Sequence, residues 1–221
     1  MKIKISRELL DFIFIHLSFV VICISIILIP VPDYMGINLF ILVVIYNVIF
    51  PIFGYLRKYS EWIAIWLFIF LISLFQIWPD WFLSAELGIL VFPEDDFIKI
   101  GTVSLYMAGL WTIPLFLIIF IGLRIRERYS RSITYIIVGL LSLLIFRLSE
   151  QLMWMLDSWY AQNIAMIGHL AVYIIFPEIL LGLSTYYGYV LLQKKKSAQN
   201  SSCFYYNALI SWECFILLFF N

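Results

Sequence analysis

Residues 92–128, "FPEDDFIKIGTVSLYMAGLWTIPLFLIIFIGLRIRER", run from three adjacent carboxylates, through a long apolar segment, to a cluster of arginines. An α-helix needs about 20 apolar residues to cross the hydrocarbon core of a bilayer. The segment from 98 to 123 exceeds that length. The stretch therefore predicts a transmembrane helix that begins near the acids Glu94, Asp95 and Asp96 and ends near the arginines Arg124, Arg126 and Arg128.

The composition of the whole chain agrees with a membrane protein. Of its 221 residues, 64% are hydrophobic and 13% are charged, whereas a soluble domain is roughly half apolar. The net charge of zero gives no indication of a nucleic-acid partner. The three cysteines and two histidines match no disulfide or metal-binding pattern, and the sequence contains no HExxH, GxSxG or phosphate-loop motif. We expect no metal and no cofactor.

Six apolar segments are long enough, or nearly so, to cross a bilayer. They cover approximately 9–29, 37–55, 62–78, 98–123, 132–149 and 164–192. The sequence thus predicts an all-α, polytopic transmembrane helical bundle that forms one domain over residues 1–192. After a basic and polar linker that begins at residue 193, a seventh apolar segment at 203–220 either spans the bilayer or lies in its interface. An apolar piece between Trp78 and Asp95, too short to cross, predicts an interfacial segment before the fourth span.

The charges outside these segments are divided unequally. Alternating the spans places the N-terminus, the loops 56–61 and 124–131 and the tail from residue 193 on one side, together with nearly all the lysines and arginines. Most of the acids collect on the other side. The positive-inside rule makes the basic side cytoplasmic and places the acidic loops outside. We expect an integral protein of the plasma membrane, which is the inner membrane in a bacterium.

The three outer carboxylates, Glu94, Asp95 and Asp96, have two interpretations. In the first, they lie in the first turn of the fourth helix, accept hydrogen bonds from its free backbone N–H groups and pair with Lys99. In the second, they are catalytic candidates, because crowding among like charges raises the pKa of at least one carboxyl. One helix cap requires one carboxylate, so the second interpretation stays open.

Glu178 is the other catalytic candidate. Its distance from both ends of the sixth segment predicts a depth near the bilayer midplane, where an ionisable group is costly and marks either a site or a partner for another helix. Gly182 and Thr185 share its helical face, which we expect to point into the bundle. Closer to the outer boundary, Arg147 is expected to pair with Glu150 or Gln151, to extend to the interface, or to reach the outer carboxylates.

Four short phrases carry a resemblance to a known family. They are "FQIWPDWFL", "LYMAGLWTIPLF", "WYAQ" and "FPEILLG". They resemble a bacterial family of multi-pass membrane proteins that is classified as a domain of unknown function. The resemblance would cover roughly residues 8–192 and implies that the tail from about residue 197 is an extension particular to this chain. Because the family has no assigned activity, it implies no catalytic residues.

A second likeness is to the membrane-embedded carotenoid and terpene cyclases. These are bundles of about seven helices that carry Pro-Glu pairs at helix ends, and Pro93-Glu94 and Pro177-Glu178 are the matching pairs here. The cyclase pattern continues with a second glutamate, whereas this chain has "PEDD" and "PEIL".

Three hypotheses for the function follow. In the first, the protein acts on a lipid or isoprenoid-like ligand, because a carboxyl can protonate an alkene and aromatic faces stabilise a cation. The candidates for substrate binding are then Tyr106, Trp111, His169 and Tyr173. In the second, it is a small transporter in which Glu178 binds a proton or cation. In the third, it is a non-catalytic assembly subunit that docks through a stripe of small residues on one helix face, at Gly101, Ser104, Ala108 and Thr112. The oligomeric state is open.

Overall fold

A computed structural model describes residues 6–27, 35–94, 97–154, 156, 158–168 and 170–198. Its helices are α1 (Arg7–Ile27), α2 (Met35–Leu56), α3 (Ser60–Phe75), α4 (Ile77–Trp81), α5 (Met107–Leu110), α6 (Thr112–Arg126), α7 (Arg131–Trp154) and α8 (Ile175–Ala198). A π-helical turn at Phe82–Glu86 follows α4, and a 3₁₀ turn at Val172–Ile174 precedes α8. Two-residue strands are β1 (Leu90–Val91), β2 (Lys99–Ile100), β3 (Val103–Ser104), β4 (Tyr160–Ala161), β5 (Met166–Ile167) and β6 (Leu170–Ala171).

Adjoining helical pieces combine into six stretches that are long and apolar enough to cross a membrane. Within the described part of the chain, these are Arg7–Ile26, Met35–Leu56, Ser60–Glu86, Met107–Arg126, Arg131–Gln151 and Val172–Lys194. Apolar runs of this length form helices because a helix satisfies its own backbone hydrogen bonds, which lipid cannot do. The prediction of an all-α helical bundle is confirmed. The seventh segment, 203–220, lies outside the described residues.

Hydrogen bonds show which ends of the helices lie together. Arg124 at the end of α6 contacts Glu8 at the start of α1 at 2.9 Å, and Gln193 on α8 donates to Glu61 on α3 at 3.3 Å. We name this the basic end; it comprises residues 7–11, 57–61, 124–131 and 193–198. We name the opposite end the acidic end; it comprises 77–106 and 146–178.

The acidic end is closed by short antiparallel strand pairs. Strand β1 pairs with β4, while β2 and β3 form one hairpin and β5 and β6 another. The predicted helices 98–123 and 164–192 are wrong at their starts, because these hairpins occupy their first residues. Gly101 and Gly168 have φ angles of +62° and +65°, which an α-helix cannot accept. At Gly101 a Cβ atom would also lie 2.9 Å from Trp81.

Aromatic side chains fill the middle of the bundle. Trp62 and Phe50 stack with ring centroids 5.3 Å apart, and Phe116 and Phe120 pack against them from α6. Close helix contacts use glycine, since lipid gives helices no hydrophobic drive to associate. A Cβ atom at Gly122 would lie 2.8 Å from Tyr186. The core thus depends on large rings set against small residues.

The predicted stripe of small residues does not exist as a helix face. Gly101 and Ser104 lie in the β2–β3 hairpin, Ala108 lies in α5, and Thr112 begins α6. A helix break at Trp111 separates α5 from α6, and Pro114 in the first turn of α6 has no N–H to extend α5. The stripe prediction is wrong because it assumed one continuous helix.

Candidate functional site

Three carboxyl groups from three different spans lie at the acidic end. Asp80 on α4 is 6% exposed, Glu178 on α8 is 7% exposed, and Glu150 on α7 is half-buried. Glu150 lies within electrostatic range of both Asp80 and Glu178. Tyr173, in the 3₁₀ turn before α8, lies within range of all three. We name Asp80, Glu150 and Glu178 the acid cluster.

Two tryptophans position members of this acid cluster. The indole N–H of Trp159 donates to Glu150 at 3.2 Å, and that of Trp111 makes a longer contact of 3.5 Å with Asp80. Trp111 stands at the break between α5 and α6, and its ring packs 5.5 Å from that of Phe146, one turn before Glu150. The helix break therefore places the Trp111 indole between α4, which carries Asp80, and α7, which carries Glu150.

The acid cluster has no basic partner within the described residues. The ion pairs found there join Arg57 to Asp11, Lys99 to Glu94, and Arg124 to three other acids. No hydrogen bond joins the carboxyl of Glu178 to another described residue. Burying a charge without a partner costs free energy, so this arrangement does not serve stability.

At the basic end, in contrast to the acid cluster, the carboxylates form ion pairs with an arginine. Arg124 donates to Glu8 at 2.9 Å and to Glu61 at 2.6 Å, and also contacts Glu127. Tyr59 donates to Asp11 at 2.8 Å. Burial, with the hydrogen bond to this carboxylate second, raises the pKa of the Tyr59 phenol and keeps it a donor. The acids of this end are structural.

Glu178 lies nearer the acidic end than predicted. It occupies the first turn of α8, about 9 Å along the axis from Val172, where the span begins. The midplane prediction is wrong because residues 158–168 and 170–171 form strands and turns instead of the first part of the helix. The predicted inward face is confirmed, since Thr185 is buried and Gly182 abuts Ser142.

Glu94 does not begin a helix and does not join the acid cluster. Its side chain is 93% exposed and pairs with Lys99 at 2.9 Å, in the loop before β2. The helix-cap prediction is wrong for Glu94, because the following span starts at Met107. Asp95 and Asp96 lie outside the described residues.

The predicted substrate-binding residues separate into three groups. Trp111 and Tyr173 adjoin the acid cluster. Tyr106 is buried away from it, and its hydroxyl donates to the Ser158 carbonyl at 2.7 Å, which supports the segment that carries Trp159. His169 lies outside the described residues.

Asp80 and Glu150 were not among the site residues predicted from the sequence. Glu150 was expected to pair with Arg147, but Arg147 is exposed and forms no ion pair within the described residues, whereas Glu150 accepts from Trp159. Asp80 was placed beyond the third span, but the helical span continues to Glu86. The available signal was the apolar "WFLSAE" after Asp80, which places this acid inside a longer helix.

The chemistry open to the acid cluster is that of carboxyls among aromatic rings. No group of three His, Cys, Asp or Glu residues in the described part of the chain is arranged to hold a metal ion. Carboxyls can donate and accept protons and can bind a cationic group. Indole and phenol faces attract cations.

The segment that contains this site matches a known family. A family model described as a domain of unknown function (DUF6989) covers residues 77–220. The chain belongs to the DUF6989 family. All three members of the acid cluster lie inside the match, and the predicted resemblance to a domain of unknown function is confirmed. The match does not begin near residue 8, and it includes the tail, so the expectation that the tail is particular to this chain is wrong. Neither a curated protein nor a solved structure matches.

Proposed function

We propose that this DUF6989 protein acts on a lipid or isoprenoid-like substrate at the acidic end, with the acid cluster as its source and acceptor of protons. The observation that carries the proposal is the convergence of Asp80, Glu150 and Glu178 from three spans with no basic partner among the described residues. Proteins retain such costly groups where chemistry requires them.

The location of the cluster favours a substrate that comes from the membrane. All three carboxyls belong to stretches that are long and apolar enough to cross a membrane. A ligand that is dissolved in the lipid can therefore reach them from within the bilayer. Trp111, Trp159 and Tyr173 surround them with aromatic surface. If a carboxyl O–H protonates an alkene, a C–H bond forms, the carbocation faces the rings, and a second carboxylate accepts the proton that the product loses.

Roles within the cluster follow from the partners of each carboxyl. Glu178 has no hydrogen bond to another described residue, so it is the member most available to a substrate. Glu150 is held by Trp159 and lies within range of both other acids, so it suits the exchange of a proton between them. Asp95, Asp96 and His169 stay candidates from the sequence.

Transport is the second candidate. One observation favours it: three acids on three spans form no ion pair with a described residue, and such acids can pass a proton or attract a cation. In either case we propose that the basic end faces the cytoplasm and that the protein resides in the plasma membrane, the inner membrane if the source is bacterial, on the argument of the positive-inside rule.

The test is an untargeted mass-spectrometric profile of lipids and pigments from otherwise identical cells. The strains lack the gene, carry it intact, or carry Glu178→Gln, with Glu94→Gln as the matched control because Glu94 is exposed and lies outside the cluster. General acid catalysis contributes about 100-fold or more. We therefore expect a precursor to accumulate in the deletion and Glu178→Gln strains, and not in the Glu94→Gln strain.

Identical profiles in all strains, with each variant present in the membrane at normal amounts, would refute an action on cellular lipids. Proteoliposomes then examine the second candidate. A proton or cation flux that Glu178→Gln abolishes and Glu94→Gln preserves would establish transport, whereas equal fluxes would exclude it.

A further inference from the structure

A long apolar groove lies between α7 and α8, on the opposite face of α8 from Glu178. Its volume is about 690 Å³. Its walls carry aliphatic side chains from both helices, including Ile136, Leu140, Leu143, Ile179 and Leu183. Because residues 179, 183 and 187 share one helical face and Glu178 lies on the other, the groove is separate from the acid cluster.

A second, smaller pocket lies beside this groove at the basic end. Its volume is about 230 Å³, and it lies between α6, α7 and α8. Three of its lining side chains are cationic: Arg126, Arg131 and Lys194. Tyr135 lines both the pocket and the groove, and the Arg131 guanidinium lies 5.6 Å from the centre of its ring. The basic pocket and the apolar groove therefore adjoin at Tyr135.

The three cations of the pocket differ from Arg124, which lies only two residues before Arg126. Arg124 is neutralised by three carboxylates. Within the described residues, Arg126, Arg131 and Lys194 form no ion pair with a carboxylate. Their charges are thus available to an anion that comes from outside the chain.

We propose that this composite site binds an anionic phospholipid, with its phosphate in the basic pocket and an acyl chain in the groove. Guanidinium and ammonium groups suit phosphate oxygens, and basic pockets between helices at the membrane surface bind lipid headgroups. A free phosphate would fill the pocket but not the adjoining groove. The site does not depend on the proposed function of the acid cluster.

Binding is measured with the purified full chain in detergent, using fluorescent phosphatidylglycerol, with fluorescent phosphatidylcholine of the same chain length as the reference. We expect phosphatidylglycerol to bind more tightly. Each lost charge costs roughly fivefold in affinity, so the Arg126→Gln, Arg131→Gln double variant loses roughly 25-fold.

The matched control is Arg128→Gln, an exposed arginine in the same loop that does not line the pocket. Equal losses from Arg126→Gln and Arg128→Gln would show diffuse attraction and overturn the site.

The groove is tested separately. Leu140→Trp fills it, whereas Leu148→Trp makes the same change two turns along α7 at a residue that does not line it. Of the two variants, we expect only Leu140→Trp to weaken phosphatidylglycerol binding, by about fivefold or more. The reason is that the acyl chain can no longer bury the apolar surface at that position. Inorganic phosphate should compete only weakly. Full competition by millimolar phosphate, or equal effects of the two tryptophans, would overturn the lipid and leave only an anion pocket.

Discussion

At the basic end a single arginine contacts three carboxylates, whereas at the acidic end three carboxyls lie within electrostatic range of Tyr173 and have no basic partner among the described residues. Arg124 joins α1, α3 and α6 through Glu8 and Glu61. Asp80, Glu150 and Glu178 also come from three spans, but tryptophan N–H groups are the donors to Asp80 and Glu150. The exposed Glu94–Lys99 pair shows that the acidic end also has a cation, which contacts the loop and not the cluster.

This difference separates charges that stabilise the fold from charges that reduce its stability. A carboxylate paired with arginine at a partly buried site compensates for its own desolvation. A buried carboxyl with neither cation nor strong donor does not. Active sites commonly keep such groups at a cost in stability, and the comparison therefore predicts opposite responses to the same substitution at the two ends.

The largest effect is expected from Gly182→Ala, which should separate α7 from α8 near the acid cluster. The new Cβ atom would overlap the Ser142 side chain, and overpacking of this kind costs about 3 kcal/mol of unfolding free energy. The measurement is thermal unfolding in detergent. Gly139→Ala is the control, because its nearest neighbour would be Leu183 at 3.7 Å.

Ser142→Gly should restore most of the lost stability to the Gly182→Ala protein, because it removes the overlapping atoms. If Gly182→Ala and Gly139→Ala unfold at the same temperature, the close contact of α7 with α8 at this level is refuted.

A smaller loss is expected from Arg124→Gln at the basic end. It leaves Glu8 and Glu61 without their cation at a site that is part-buried, so we expect a loss of about 2 kcal/mol, between the values for exposed and buried pairs. Chemical unfolding of the reconstituted protein measures it. Arg128→Gln removes an exposed charge of the same loop and should change stability by less than about 0.5 kcal/mol. Equal effects of the two variants would contradict a structural role for Arg124.

The smallest effects, and the sharpest contrast, concern the same change from glutamate to glutamine at each end. Glu61→Gln removes the charge that faces Arg124 and should lower stability by about 1 kcal/mol. Glu178→Gln removes a buried carboxyl that forms no hydrogen bond or ion pair with a described residue, and it should leave stability unchanged or raise it by about 1 kcal/mol. Both are measured as unfolding midpoints at neutral pH. A marked destabilisation by Glu178→Gln would assign that residue a structural role.

Much of the bundle was predictable from local composition. The six apolar runs correspond to the six spans, since each helix satisfies its backbone within its own segment. The errors concentrate at the acidic end, where β1 pairs with β4 across some seventy residues of chain. Helical periodicity carries no information on such pairing, so residues 98–106 and 164–171 were assigned to helices.

The candidate site was predictable only in part. Glu178, Trp111 and Tyr173 were recognised because polar or large aromatic groups stand out in an apolar segment. Asp80 and Glu150 were not recognised as members of the same site, because each looked like the charge at the end of a span. Glu94 was chosen for its crowded neighbours, yet its side chain points away from the bundle and is almost fully exposed.

The sequence by itself determined that this is a membrane protein, that its described part contains six helical stretches long enough to cross a bilayer, and which ends of these stretches carry which charge. The bilayer imposes these features on each segment separately, so they can be recognised one segment at a time. Only the tertiary structure decided that three acids lie within electrostatic range of Tyr173 while three others contact one arginine. Which side chains of different helices lie near one another depends on how each helix is rotated and where it breaks. Contacts between residues far apart in the chain determine both.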